Sequence, residues 1–226
     1  MSRRTKRRVS DSQDEQPDYS LELACSGTGA VIGVDEAGRG PWAGPVTAAA
    51  FWINPAETDS LPIDLTDSKK LSAYKREQIK QALCHNQQNH LWAVSHSSVT
   101  QIDADGILPA TFAAMAAAVT QLADDLMTYH HLNVAMVLVD GNLVPPLGYP
   151  CQAVIRGDSR SLSISAASIL AKQARDEVMT DLAADYPDYG WQTNAGYGTK
   201  AHHQALQRFG VTPHHRKSFA PVKACL

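Results

Sequence analysis

The sequence is poor in the features that staple, anchor or label a chain. Its four cysteines, Cys25, Cys84, Cys151 and Cys225, are widely separated and form no C-x-x-C pair. That spacing argues against a structural zinc site, and a disulfide framework is not expected at this length. Reduced cysteines in a cytoplasmic protein are the simpler reading. No apolar run approaches the roughly 18 residues of a membrane span, so no membrane partner is expected. The N-terminus (MSRRTKRRVSDSQDEQPDY) has no apolar core after its basic residues, unlike a secretory signal. There is no G-x4-G-K-[ST] phosphate loop, and Gly27, Gly29 and Gly33 are mis-spaced for a dinucleotide loop. Ser72 and Lys75 match S-x-x-K without that motif's partners. No period of 20–50 residues is present, which excludes repeat architectures.

What is there is an ordinary globular composition: 226 residues, 44% hydrophobic and 19% charged. That length makes one large domain or two small ones and buries about 70% of the unfolded surface without staples. The net charge of −3 speaks against a polycation that binds nucleic acid through total charge alone. Distribution counts for more than the sum, however. The first twenty residues hold five Arg/Lys and four acids with almost nothing apolar. Residues 1–28 are therefore expected to be a flexible arm. The last 31 residues, 196–226, hold five Lys/Arg, four His and no Asp or Glu. Such a run is either a solvated basic face or a nucleic-acid contact.

Apolar runs at residues 30–35 (AVIGVD), 46–53 (VTAAAFWI), 91–99, 133–140 (NVAMVLVD) and 151–158 (CQAVIRGD) read as five strands. The first two are joined by the short Gly/Pro-punctuated segment AGRGPWAGP and should pair antiparallel. Residues 109–126 and 161–184 read as long helices. The order predicts an α/β domain with a mixed sheet over residues 29–190 and a basic extension over 191–226.

Three of the predicted strands end in carboxylates: Asp35 with Glu36, Asp140 and Asp158. Ligands gather at strand ends in open α/β sheets. Four converging carboxylates repel one another unless cations neutralise them, and an all-oxygen donor set suits Mg2+ or Mn2+ better than zinc. Two such ions can clamp the attacking and leaving oxygens of a phosphodiester. Adjacent strand residues point to opposite faces, so Asp35 and Glu36 are expected to share a site only if the backbone turns between them. Any one of these acids could instead cap a helix, Asp158 above all. On the second long helix, Ser161, Ser165, Ser168, Lys172 and Asp176 recur on one face. That stripe either meets backbone phosphates or faces solvent.

VIGVDEAGRGP at residues 31–41 closely resembles the opening motif of ribonuclease HII. The blocks DSKKLS, VDGN, RGDSRSLSISAASILAKQARD and GYGT, with His202 and HRKSFAPV, extend the likeness over most of the chain in the family's order. The resemblance implies an RNase H-like fold with a five-stranded mixed sheet flanked by helices and a C-terminal helical extension. It implies four metal-binding catalytic carboxylates, Asp35, Glu36, Asp140 and Asp158, and a two-metal mechanism with Mn2+ or Mg2+. The main chain of Gly38, Arg39 and Gly40 would approach the ribonucleotide's 2′-hydroxyl. Tyr197 would stack on the sugar beside the RNA–DNA junction, and Lys69, Lys172 and Arg39 would contact phosphates. The expected substrates are RNA–DNA hybrids and duplex DNA with embedded ribonucleotides, cut on their 5′ side to leave 3′-hydroxyl and 5′-phosphate ends. A monomer in the cytoplasm is expected, acting in DNA replication and repair, with no protein partner indicated. Ribonuclease HIII fits less well, since the residues before the first strand are too few for its additional N-terminal domain. Two departures from the family pattern are Gly106, where an Asn is usual, and Trp42, where an aliphatic residue is usual.

Overall fold

The computed structural model describes residues 16–25, 27, 29–62, 64–66, 68, 71–85 and 89–226. Lys69 lies outside them, as does Asp67. The core is a five-stranded sheet made of β1 (Ala30–Ala37), β2 (Val46–Ile53), β3 (His90–Ser97), β4 (Val134–Asp140) and β5 (Cys151–Val154). Its order is β3-β2-β1-β4-β5. The meander β1-β2-β3 is antiparallel, while β4 and β5 run parallel to β1. The mixed sheet expected from the sequence is the one observed.

Two long helices cover its faces. Helix α4 (Ile107–His130) lays Ala114, Met115, Ala118, Leu122 and Leu126 over Ile32, Val34, Ala50 and Val137. By length and composition this helix could cross a membrane, yet that apolar stripe covers the sheet. Helix α5 (Leu162–Asp185) packs Ala166, Ala167, Ile169 and Leu170 on the opposite face against Ala49, Phe51 and Ile53. Ser161 starts it as N-cap, accepting the Ile164 amide at 3.1 Å. Helix and sheet approach closely at Gly33, where a Cβ would lie only 2.3 Å from the Ser163 carbonyl carbon. Helix α2 (Ala73–His85) flanks α5, and its polar sequence gave no periodic signal strong enough to predict it.

Several boundaries differ from expectation. The fifth strand stops at Val154 instead of running to residue 158: Arg156 adopts a left-handed conformation (φ 56°), and Gly157–Ser159 forms a single 3-10 turn. Asp158 therefore sits on a turn beyond the strand, and Ser161, not Asp158, is the N-cap. Within the arm expected over 1–28, Ser20–Cys25 forms α1. It docks because Glu22, fully buried, accepts from the Ser161 hydroxyl (2.5 Å), the Ser163 amide (2.9 Å) and the Ser163 hydroxyl (2.6 Å). Gly106, at φ 89°, ends the short helix α3 (Val99–Asp105) and begins α4, where a side chain would be strained.

The C-terminal segment forms α6 (Trp191–Asn194), α7 (Lys200–Phe209) and α8 (Ala220–Lys223). Their apolar residues Trp191, Leu206 and Val222 close over Ala43 and Met179. The extension is thus packed against the β1–β2 connection as part of the same body.

Candidate active site

The alternation of β1 decides where its two acids go. Val34 faces α4, so Asp35 turns toward α5 and Glu36 back toward α4. The strand continues to Ala37, so the expected backbone turn between them does not occur. Both lie at the end of the strand, close enough for the charge of Glu36 to act on the Asp35 carboxyl. Asp35 is buried, with Oδ1 accepting the Glu36 amide at 2.7 Å and a second hydrogen bond from Ser168. Ser168 has one proton to give, which makes Ser68 the donor in the 3.0 Å Ser68–Ser168 contact. Glu36 reaches a cavity of about 110 Å3 with Asp140 and α4 on one side. On the other it reaches one of about 260 Å3 lined by Ser168, Lys172 and Tyr197.

Asp140 ends β4, and its Oδ1 accepts the Gly157 amide at 2.7 Å. The bond ties that strand end to the turn that carries Asp158, itself buried and bonded by the Ser159 hydroxyl. Burial, then the charges of Glu36 and Asp140, raise the Asp35 carboxyl well above the usual carboxylate range. Three of the four predicted acids therefore sense one another across the strand ends, with Asp158 on the adjoining turn. Among the described residues, no three His, Cys, Asp or Glu groups stand close enough to hold a metal ion as they are. The donor set, carboxylate oxygen throughout and destabilised by its own charge, fits a hard divalent cation.

Beside the acids runs the loop Gly38–Pro45, fixed by two buried guanidinium groups. Arg175 of α5 donates to the carbonyls of Pro45 and Ala43, both at 3.1 Å. Arg216 donates to Gly44 (2.9 Å), Arg39 (3.0 Å), Gly38 (2.6 Å) and Pro45 (3.0 Å). Burial, and second the nearby Arg175, push the Arg216 pKa down to about 9, still charged at neutral pH. Because the peptide is planar and trans, carbonyls of Gly38 and Arg39 that face Arg216 turn the next amides, Arg39 and Gly40, the other way. Gly38 is required here: a Cβ would lie 2.0 Å from Arg175 Nε. The Tyr197 ring lies over the same loop, 3.5 Å from where a Gly40 Cβ would be, and is half exposed. The Trp42 ring packs against Gly198, the residue after Tyr197, and lies 5.7 Å from the His202 ring.

Arg39 pairs with Glu36 at 3.4 Å, and Lys172 pairs with Asp176. The stripe on α5 does not face solvent: Ser161, Ser165 and Ser168 are all buried, and Lys172 reaches the cavity alongside Ser168. Nor is the C-terminal run a uniform basic face, since Arg216, His202 and His215 are fully buried. Sequence reading missed Arg175 as a functional residue and counted Arg216 as surface charge. A cation amid the small apolar residues of α5 was the available signal for the first.

The match to known proteins is decisive on the family. A family model described as Ribonuclease HII matches residues 32–222. The chain belongs to the ribonuclease HII family. The ribonuclease HII of Rhodospirillum rubrum is 52% identical over 211 residues, covering 93% of this chain and 92% of that one. That of Paracoccus denitrificans is 51% identical over 216 residues, covering 93% and 95%. Among solved structures, the ribonuclease H2 of Pyrococcus horikoshii superposes with a TM-score of 0.70 at 23% identity, covering 87% of this chain and 96% of that one. A Bst-RNase HIII in complex with Mn2+ gives 0.72 at 18% identity, covering 96% and 75%. These two establish the RNase H-like fold. Ribonuclease HII enzymes are metal-dependent nucleases that cleave RNA in RNA–DNA hybrids, and this chain is one of them.

Proposed function

We propose that this ribonuclease HII incises duplex DNA on the 5′ side of embedded ribonucleotides as well as cutting hybrids, leaving 3′-hydroxyl and 5′-phosphate ends. Its place would be ribonucleotide removal in DNA replication and repair. The observation that supports this most is a single cavity bordered by Glu36, the Gly38–Gly40 main chain and Tyr197. A carboxylate, a close-approach backbone and an aromatic ring over it together read one sugar rather than a long hybrid.

Asp35, Glu36, Asp140 and Asp158 would hold two divalent ions, Mg2+ or Mn2+. Bound there, such ions supply an activated water and charge neutralisation at the leaving 3′-oxygen. The chain's own residues do the rest. The amides of Arg39 and Gly40, held outward by Arg216, approach the 2′-hydroxyl, the group that separates RNA from DNA. Tyr197 stacks on the neighbouring sugar and fixes the scissile phosphate relative to the acids. Arg39 and Lys172 exchange their internal carboxylate partners, Glu36 and Asp176, for substrate phosphates. Lys69, by its place in the DSKKLS block, is a third phosphate contact.

The test is cleavage of duplex DNA carrying one ribonucleotide, with Mg2+ or Mn2+. Incision 5′ to the ribonucleotide by the intact protein and none by Asp35→Asn is the expected result. Full activity of that variant, or no incision by the parent, would overturn the reading.

A further inference from the structure

The pair of histidines beneath the Tyr197 loop is not used by the chemistry above, and its hydrogen bonds can be given a direction. Two of its neighbours are donors that cannot act otherwise. The Trp191 indole N–H lies 3.1 Å from His202 Nε2 and must donate to it. The Thr212 backbone N–H lies 3.0 Å from His215 Nδ1 and must donate there. Both rings are fully buried, and desolvation lowers both pKa values, His215 to about 3, so both are neutral near pH 7. A neutral ring carries one proton. His215, accepting at Nδ1, is protonated at Nε2 and donates across the 3.0 Å contact to His202 Nε2. His202, accepting at Nε2, is protonated at Nδ1, which lies 2.9 Å from the Tyr197 carbonyl.

We infer that His202 and His215 are positioning residues forming a one-way hydrogen-bond relay that holds the Tyr197 backbone for sugar recognition. The relay runs from the Thr212 amide through His215 and His202 to the Tyr197 carbonyl. Tyr197 is held on its other side by its own N–H, which donates to the Asn194 carbonyl at 2.8 Å. With main chain fixed at both ends, the ring is aimed over Gly40, leaving its face open to a sugar. The Trp42 ring lies against the neighbouring Gly198. The inference rests on the sugar-stacking reading of Tyr197 and adds what makes that stacking possible.

Two near-isosteric substitutions separate the relay from mere packing. In His202→Asn the side-chain amide occupies the Nδ1 position and still donates to Tyr197; in His202→Gln it occupies the Nε2 position and does not. On a duplex with one ribonucleotide, His202→Gln should lower kcat/KM about tenfold and His202→Asn by less than about threefold. Combining His202→Gln with Tyr197→Ala should cost no more than Tyr197→Ala alone, because both act through one ring. Equal losses in the Asn and Gln variants, or additive losses of about a hundredfold in the double variant, would overturn the inference. Long-range 1H–15N correlation spectra of the parent protein at pH 7 test the direction of the relay without any substitution. The expected tautomers are Nδ1–H at His202 and Nε2–H at His215, and the reverse pair would refute the relay. A silent Tyr197→Ala with the expected tautomers would instead refute sugar stacking and the relay's use, while leaving its direction established.

Discussion

A methyl group added at Gly33 has nowhere to go. In Gly33→Ala the new Cβ would lie 2.3 Å from the Ser163 carbonyl carbon, 2.4 Å from the Ile164 nitrogen and 2.5 Å from Ser163 Oγ. Two of these are backbone atoms, so no rotamer change relieves the contact, and α5 must lift from β1 by roughly 1 Å to restore ordinary van der Waals separation. Overpacking of this kind costs about 1–3 kcal/mol, and rigid backbone on both sides places it at the upper end. For a domain of this size that is a fall in Tm of roughly 6–12 °C. The helix that moves carries Ser168 against Asp35, Lys172 at the cavity and Arg175 on the glycine loop. A displacement of about 1 Å at such groups lowers cleavage by about a hundredfold. Gly148→Ala is the control: its φ of 74° is strained but nothing lies within 4 Å of the new Cβ, so about 1 kcal/mol and normal activity are expected. Circular-dichroism melts and hybrid cleavage, measured on folded protein, give both numbers. A Gly33→Ala protein melting within about 2 °C of the parent and cutting at a similar rate would refute the close apposition of β1 and α5.

Asp35→Asn should abolish cleavage, by more than about a hundredfold, yet raise the Tm of protein kept in a chelator. It replaces a buried, repelled carboxylate with a neutral amide. In the parent, the folded state keeps on Asp35 a proton that the unfolded chain releases above about pH 4. Stability of the metal-free parent therefore falls as pH rises through that window, and the variant should be flatter there in chelator melts. Histidine works in the opposite sense: unfolded His215 takes a proton below about 6.5, whereas the folded residue resists until about 3. Stability present above pH 6.5 is lost on acidification by up to about 1.4 kcal/mol per pH unit, and urea titrations of His215→Gln should show a shallower slope. Lys172→Ala should reduce the salt dependence of substrate binding by about one counterion, and an unchanged slope would remove Lys172 from the phosphate contacts.

The sheet was legible wherever a strand is apolar throughout. The second strand is bounded as expected because all eight residues of VTAAAFWI are buried. Acids closing such runs were equally visible, since a carboxylate after five buried residues is a break in pattern. Asp158 was misplaced on a strand because nothing in CQAVIRGD marks a left-handed Arg156, which is a tertiary demand made by Asp140 on the Gly157 amide. The serine stripe of α5 was ambiguous for a related reason. Small hydroxyls on a helix look solvent-facing until a glycine on the facing strand lets the two backbones nearly touch. Arg216 and the histidine pair were invisible as interior groups, because their partners are mostly main-chain groups and one another, with the Trp191 indole and the Thr212 hydroxyl brought in only by the fold.

The four bonds from Arg216 also set an order of events. That side chain reaches back across 178 positions to fix the Gly38 carbonyl. During synthesis the acids of β1 emerge early and those of β4 and the following turn later, yet the loop beside them lacks its Arg216 clamp until residue 216 has been made. On the proposed reading of that loop, the carboxylates therefore precede, in order of synthesis, the clamp that completes the sugar-facing surface.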